Sequence, residues 1–157
     1  MPVVATSSNY SGRQVDLSIF PDQRLPNRAV ITDIGKDRVF SRAIAGPAKA
    51  SQNYGRLLLT PLGSVRSHPT MGTKFRERFT QGGLRYGTDP GQVFAAENLR
   101  VLDFLDSVSV GRPDDERIES ATLQGFTVVA GGVTLNVALT MRSGDTTTFL
   151  LPVSWSL

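Results

Sequence analysis

Apolar residues recur at every second position over the last third of the chain and at every third or fourth position in two earlier stretches, so helices are predicted to precede strands. From Arg117 onward, Ile118, Ala121, Leu123 and Val128 lead to Gly131-Gly132, a two-residue turn in which glycine supplies the positive φ values. Val133, Leu135, Val137 and Leu139 then alternate with other residues, and Ser143-Gly144-Asp145 makes the next turn. Thr146 to Ser154 returns as a Thr-rich strand ending near Trp155. The pattern predicts an antiparallel meander of about 40 residues.

The helical spacings come earlier. Pro47 suits a first helical position, and Ala48, Ser51, Tyr54 and Leu58 follow at intervals of three and four, which predicts a helix over 47–59. Thr60-Pro61 stops it, because proline lacks the donor needed to continue and disfavours the α conformation in the residue before it. A folded-back loop holds Gly63, Pro69 and Gly72. Thr73 then caps a short helix with Phe75 and Phe79 one turn apart, ended by Gln81-Gly82-Gly83. Asp89-Pro90-Gly91-Gln92 has the order of a capping box and opens a helix over 90–106. Its apolar stripe is Val93, Ala96, Val101, Phe104 and Leu105, with Glu97 and Arg100 at salt-bridge spacing.

Residues 1–28 read as an arm, since Ser, Asn, Gly and the prolines Pro21 and Pro26 surround one alternating stretch, Gln14 to Phe20. That stretch fits either an edge strand of the chain's own sheet or a strand added to a neighbour. In 29–34 and 38–44 the short apolar runs do not separate helix from strand, and strands are the reading taken. The whole predicts a single α+β domain over 29–157, two to three helices packed on a C-terminal antiparallel β-meander, with an N-terminal arm over 1–28.

Composition narrows the chemistry. The chain has 157 residues, enough for one core without metal or disulfide staples. It has no cysteine and one histidine, which excludes thiolate metal sites, disulfides and cysteine nucleophiles, and leaves His68 as a loop residue. The N-terminus has no basic stretch followed by an apolar one, and no apolar run is long enough for a membrane span. No Walker A, GxGxxG or GxSxG pattern occurs, so no cofactor, metal or catalytic residue is assigned. Net charge is +3, but 14 of the 17 cations are Arg, a residue suited to interfaces between macromolecules; Arg-rich coding explains the same bias. Glu77, Glu97, Glu116 and Glu119 are the only glutamates available for a carboxylate pair of the glycosidase kind, and surface ion pairs are their alternative role. The phenylalanines of 75–86 share a face that should be buried, leaving an Arg-rich exterior, so no nucleic-acid partner is expected.

Two stretches carry a family resemblance. LLLTPLGSVRSHPTMGTKFRERF, Leu57 to Phe79, resembles the signature of the baseplate wedge and sheath-initiator proteins of contractile phage tails, the baseplate assembly protein W or lysozyme-like family. The matching positions are Leu58 to Thr60, Gly63, Arg66, Pro69, Gly72, Phe75 and Phe79. Asp115 and Arg117 match the acid and the arginine of the family's Glu-Pro-Arg motif, with Glu116 in place of the proline. The likeness spans residues 45–155, about 70% of the chain.

The resemblance implies a structural component of the virion's tail baseplate, assembled in the host cytoplasm and not an enzyme. Its implied partners are the tail sheath protein and the baseplate wedge proteins, with the tail tube as a further candidate and no membrane. An open strand edge offers unpaired N–H and C=O groups at fixed spacing, which suits templating of sheath by strand addition. The residues expected to serve it are Leu135, Val137 and Leu139 together with Thr146, Thr147, Thr148, Phe149, Leu150 and Leu151; the apolar ones alternatively serve only the core. Asp115 and Arg117 are expected at the wedge core, or else Arg117 pairs locally with Asp115 or Glu119. A peptidoglycan-cleaving muramidase, another virion connector and a small nucleic-acid-binding domain are the alternatives.

Overall fold

The apolar stripes of two helices and the inward positions of three strands converge on one core in a computed structural model, which describes residues 16–17, 43–78, 89–129 and 131–154. In chain order the elements are β1 (Asp16–Leu17), β2 (Ala43–Ile44), α1 (Gly46–Leu59), α2 (Phe75–Arg78), α3 (Pro90–Val108), a 3-10 turn (Asp114–Glu116), β3 (Ile118–Val129), β4 (Gly132–Met141) and β5 (Thr146–Ser154). The architecture is α+β, with helices layered on a C-terminal antiparallel sheet of order β3-β4-β5. A separate two-stranded pairing sets Asp16 opposite Ile44 and Leu17 opposite Ala43, so part of the predicted arm joins the chain just ahead of α1. The predicted strand at 29–34, the arm boundary at 28, Phe79, the 81–83 helix end and Trp155 lie outside the described residues.

Helix α1 starts one residue earlier than its spacing predicts and ends at the predicted Thr60-Pro61. Its buried face is broader than the predicted stripe: Ala48 is exposed, whereas Lys49, Ala50, Gln52 and Leu57 are buried beside Ser51, Tyr54 and Leu58. The helix is covered from two sides, by α3 and by β5, so a single stripe underestimates what it buries. In α3, Asp89 caps as predicted, its Oδ1 accepting from Gly91 N at 2.9 Å, and the helix runs two residues beyond 106. Ala96 of the predicted stripe is exposed, and Phe94 is buried instead.

The sheet places Val133, Leu135, Val137, Leu139 and Met141 of β4 on the face that meets the helices, with Leu151 and Val153 of β5 beside them. Tyr54 meets Phe149 edge to face, ring centroids 6.3 Å apart, which ties α1 to β5. The outward positions of β4 and β5 are mostly Thr, Ser and Asn, so the sheet is half-buried and reads as alternation. Gly132 must lack a side chain, because a Cβ there would lie 2.7 Å from the Val153 carbonyl oxygen.

Candidate functional site

Strand order decides which residues can receive an added strand. β4 lies between β3 and β5 and is hydrogen-bonded on both sides, so Leu135, Val137 and Leu139 offer no free edge. All three are fully buried, and their expected part in strand addition is corrected: they are core. Thr146, Thr147, Thr148, Phe149, Leu150 and Leu151 lie on β5, whose far side pairs with no strand among the described residues.

The hairpin turn fixes which backbone groups of β5 face outward. Met141 N donates to Asp145 O at 2.8 Å and Gly144 N to Met141 O at 2.9 Å, with Gly144 at φ +88°, a three-residue turn closed by a glycine bulge. Hydrogen-bonded and non-bonded pairs alternate in an antiparallel ladder. Stepping by two from Met141 and Asp145 makes Leu139/Thr147, Val137/Phe149, Leu135/Leu151 and Val133/Val153 the bonded pairs. The backbone groups of Thr146, Thr148 and Leu150 therefore point away from β4, and Leu150 has a further partner of its own. Pro152 falls in the same outward set and has no N–H, so the row of donors breaks there.

The opposite edge is met at one point by a side chain. Asn98 of α3 donates from Nδ2 to the outward Ala121 carbonyl of β3 at 3.0 Å, and its Oδ1 accepts from the Tyr54 hydroxyl at 2.7 Å. Burial pushes the Tyr54 phenol above its ordinary pKa, so it stays a donor. β3 also carries irregularities between Ile118 and Ser120 and between Leu123 and Gly125, a common way to blunt an edge. One edge of the meander is guarded and the other is regular.

The loop motif is held as a structural unit. Thr60 Oγ1 donates to Arg56 O at 2.7 Å, Thr73 N to Thr60 O at 2.8 Å and Leu62 N to Thr73 O at 2.9 Å. Thr73 Oγ1 donates to Leu58 O at 2.6 Å while accepting from Phe75 N, the predicted cap. Gly63 has φ +78° and Gly72 φ +99°, and Phe75 is fully buried. Arg66 and Pro69 are exposed on the loop.

Asp115 and Arg117 sit in and after the 3-10 turn but do not pair locally as one alternative had it. Arg117 Nη2 donates to Asp106 Oδ1 of α3 at 3.2 Å, and Arg142 of the β4–β5 turn donates to the same oxygen at 2.7 Å. Arg142 N also donates to Arg117 O, so this cluster pins the hairpin to the end of α3. Between the two motif residues, Glu116 turns inward: its Oε1 accepts from Gly46 N and its Oε2 from Lys49 Nζ, both at 3.2 Å. Glu116 is thus a buried anchor for the start of α1.

Glu97 does not pair with Arg100 as its spacing suggested. Its Oε1 meets Arg78 Nε at 3.3 Å and its Oε2 accepts from Lys74 N at 3.2 Å, and the carboxylate is buried. Both oxygens of Glu97 and both of Glu116 are engaged by donors. Asn98 and Lys49 were missed from sequence, where neither carries a readable signal. Glu116 was read there only as a candidate carboxylate or surface ion-pair partner, and Pro152 is the one proline near the end of the meander. No family model, curated protein or solved structure matches the chain.

Proposed function

We propose that the chain is a non-enzymatic structural component of a contractile-tail baseplate that joins the wedge proteins and templates the first sheath subunits by strand addition to β5. The observation that carries this reading is the asymmetry of the meander: Asn98 occupies an outward carbonyl of β3, while Thr146 and Thr148 turn their backbone groups away from β4 at regular spacing. An incoming strand gains its ladder and register from those groups. The cluster around Asp106, Arg117 and Arg142 holds the β4–β5 turn rigid, which suits a template whose edge must not move.

Thr148→Pro tests the reading, because it deletes an outward donor and leaves the ladder to β4 intact. The variant is expected to keep the parent's circular dichroism and to enter particles, which then carry baseplates without sheath. Sheathed particles at parental yield, or absence of the chain from the junction of sheath and baseplate in wild-type particles, would overturn it.

A further inference from the structure

Charge is divided along the chain. Residues 43–88 hold seven cations and a single acid, Glu77, whereas residues 89–157 hold nine acids and four cations. Among the described residues the fold places most of the exposed charges of this division at two poles, with Lys49, Asp89 and Glu97 on the opposite side. Helix α1 starts at the turn containing Glu116 and ends at the Thr60 loop, a span of about 21 Å for its 14 residues. α3 runs back the other way, with Glu97 beside Lys74 and Arg78 and Asp106 beside Arg117 and Arg142. The loop and the end of α3 are therefore at opposite ends of the helical layer.

At the α3 end lies an open groove of about 720 Å³ between α3 and β3, floored by Leu99, Leu102 and Ile118. Leu99 is 68% exposed there, and Leu102 and Ile118 are partly buried against the core beside it. Asp103, Asp114 and Glu119 rim the groove and make no ion pair among the described residues. The cation of the lining, Arg142, is committed to Asp106. At the other pole the exposed loop carries Arg66 beside half-buried Leu62 and Val65, with Arg56 and Lys74 exposed nearby. One end offers an apolar floor with an acidic rim, and the other an apolar knob with a basic rim.

We propose that copies of this chain associate head to tail, the Leu62–Pro69 loop of one seated in the groove of the next. The contact uses different surfaces on the two copies, so it repeats around a ring or along a file and does not stop at a pair. A single loop in a groove buries a small area, so the association is weak and strongly salt-dependent. It stands independently of strand addition, because neither surface includes the outer edge of β5.

Sedimentation velocity of the full chain over a concentration series at low salt tests it. Association is expected to rise with concentration and to weaken about tenfold or more near 1 M salt, where screening acts over about 3 Å. Asp103→Lys with Glu119→Lys, or Arg66→Glu with Lys74→Glu, should each abolish it, and mixing the two variants should restore it, since each then offers the partner's missing sign. Thr148→Pro should leave it unchanged. Monomer at every concentration, association indifferent to salt, no recovery on mixing, or loss in Thr148→Pro would overturn the proposal; circular dichroism of each variant verifies folding.

Discussion

Lys49 Nζ and Glu116 Oε2 form a buried ion pair 3.2 Å long that joins the first turn of α1 to the 3-10 turn ahead of the sheet. Glu116 does more than neutralise Lys49. Ala45 at the start of α1 has no capping side chain, and the Glu116 carboxylate takes the Gly46 N–H in its stead, 70 positions away in sequence. A carboxylate at this end also complements the helix macrodipole.

Removing one partner leaves a charge buried without its counter-ion, whereas removing both does not. Lys49→Met alone is expected to destabilise by about 3–5 kcal/mol. Lys49→Met with Glu116→Gln should recover most of that loss, because glutamine still accepts from Gly46 N while no charge remains. Urea unfolding of the two singles and the double gives the coupling. Additive losses would show that the pair is not what holds the turn to α1.

The sequence made the larger layout legible because each element had a local signature. Asp89 and Pro90 start α3, Thr60-Pro61 ends α1, and positive-φ Gly131 and Gly144 flank β4, although Gly132, expected in the turn, is the first residue of the strand; all act through backbone chemistry within a few residues. What stayed hidden depends on pairing across the fold. Alternation placed Leu135, Val137 and Leu139 correctly on one face of a strand but carried no information about neighbours, so their assignment to an open edge failed once β4 proved to be the middle strand. Glu97 had a cation three residues on and chose Arg78 of another element, because α2 packs against that face of α3. Lys49 and Glu116 look like ordinary surface charges in sequence, and only the closure of α1 onto the 3-10 turn buries them together.

Gly72 is expected to be the least replaceable glycine of the loop. Its φ is +99°, and a Cβ there would lie 2.5 Å from the Thr60 carbonyl oxygen and 2.9 Å from that of Pro61. Thr60 O is the acceptor for Thr73 N, so relieving the clash breaks the stitch between the loop and the end of α1. Gly144, at φ +88° with nothing near its Cβ position, isolates the backbone contribution. Gly144→Ala should cost about 1–2 kcal/mol, the ordinary penalty of a left-handed L-residue. Gly72→Ala should cost at least about 1 kcal/mol more through the lost hydrogen bond. Thermal unfolding of both variants compares them directly, and equal losses would mean that the loop yields without breaking its stitches.

Pro152 is expected to set how far an added strand can run. It lies opposite Thr134 in a pair whose β5 groups face outward, and its side chain is exposed. Removing the proline therefore touches no bond to β4 and no core contact, but supplies the donor that the edge lacks. With Pro152→Thr, outward N–H groups run from Thr146 to Ser154 at every second residue, a longer template on a strand with no charged residue. Edge-to-edge association, followed by light scattering at fixed concentration, should accelerate, while stability to urea stays within about 1 kcal/mol of the parent. Adding Thr148→Pro to the variant should slow association again, because it interrupts the same row from its middle. If Pro152→Thr scatters no faster than the parent, the outer edge of β5 is covered in solution and the proline guards nothing.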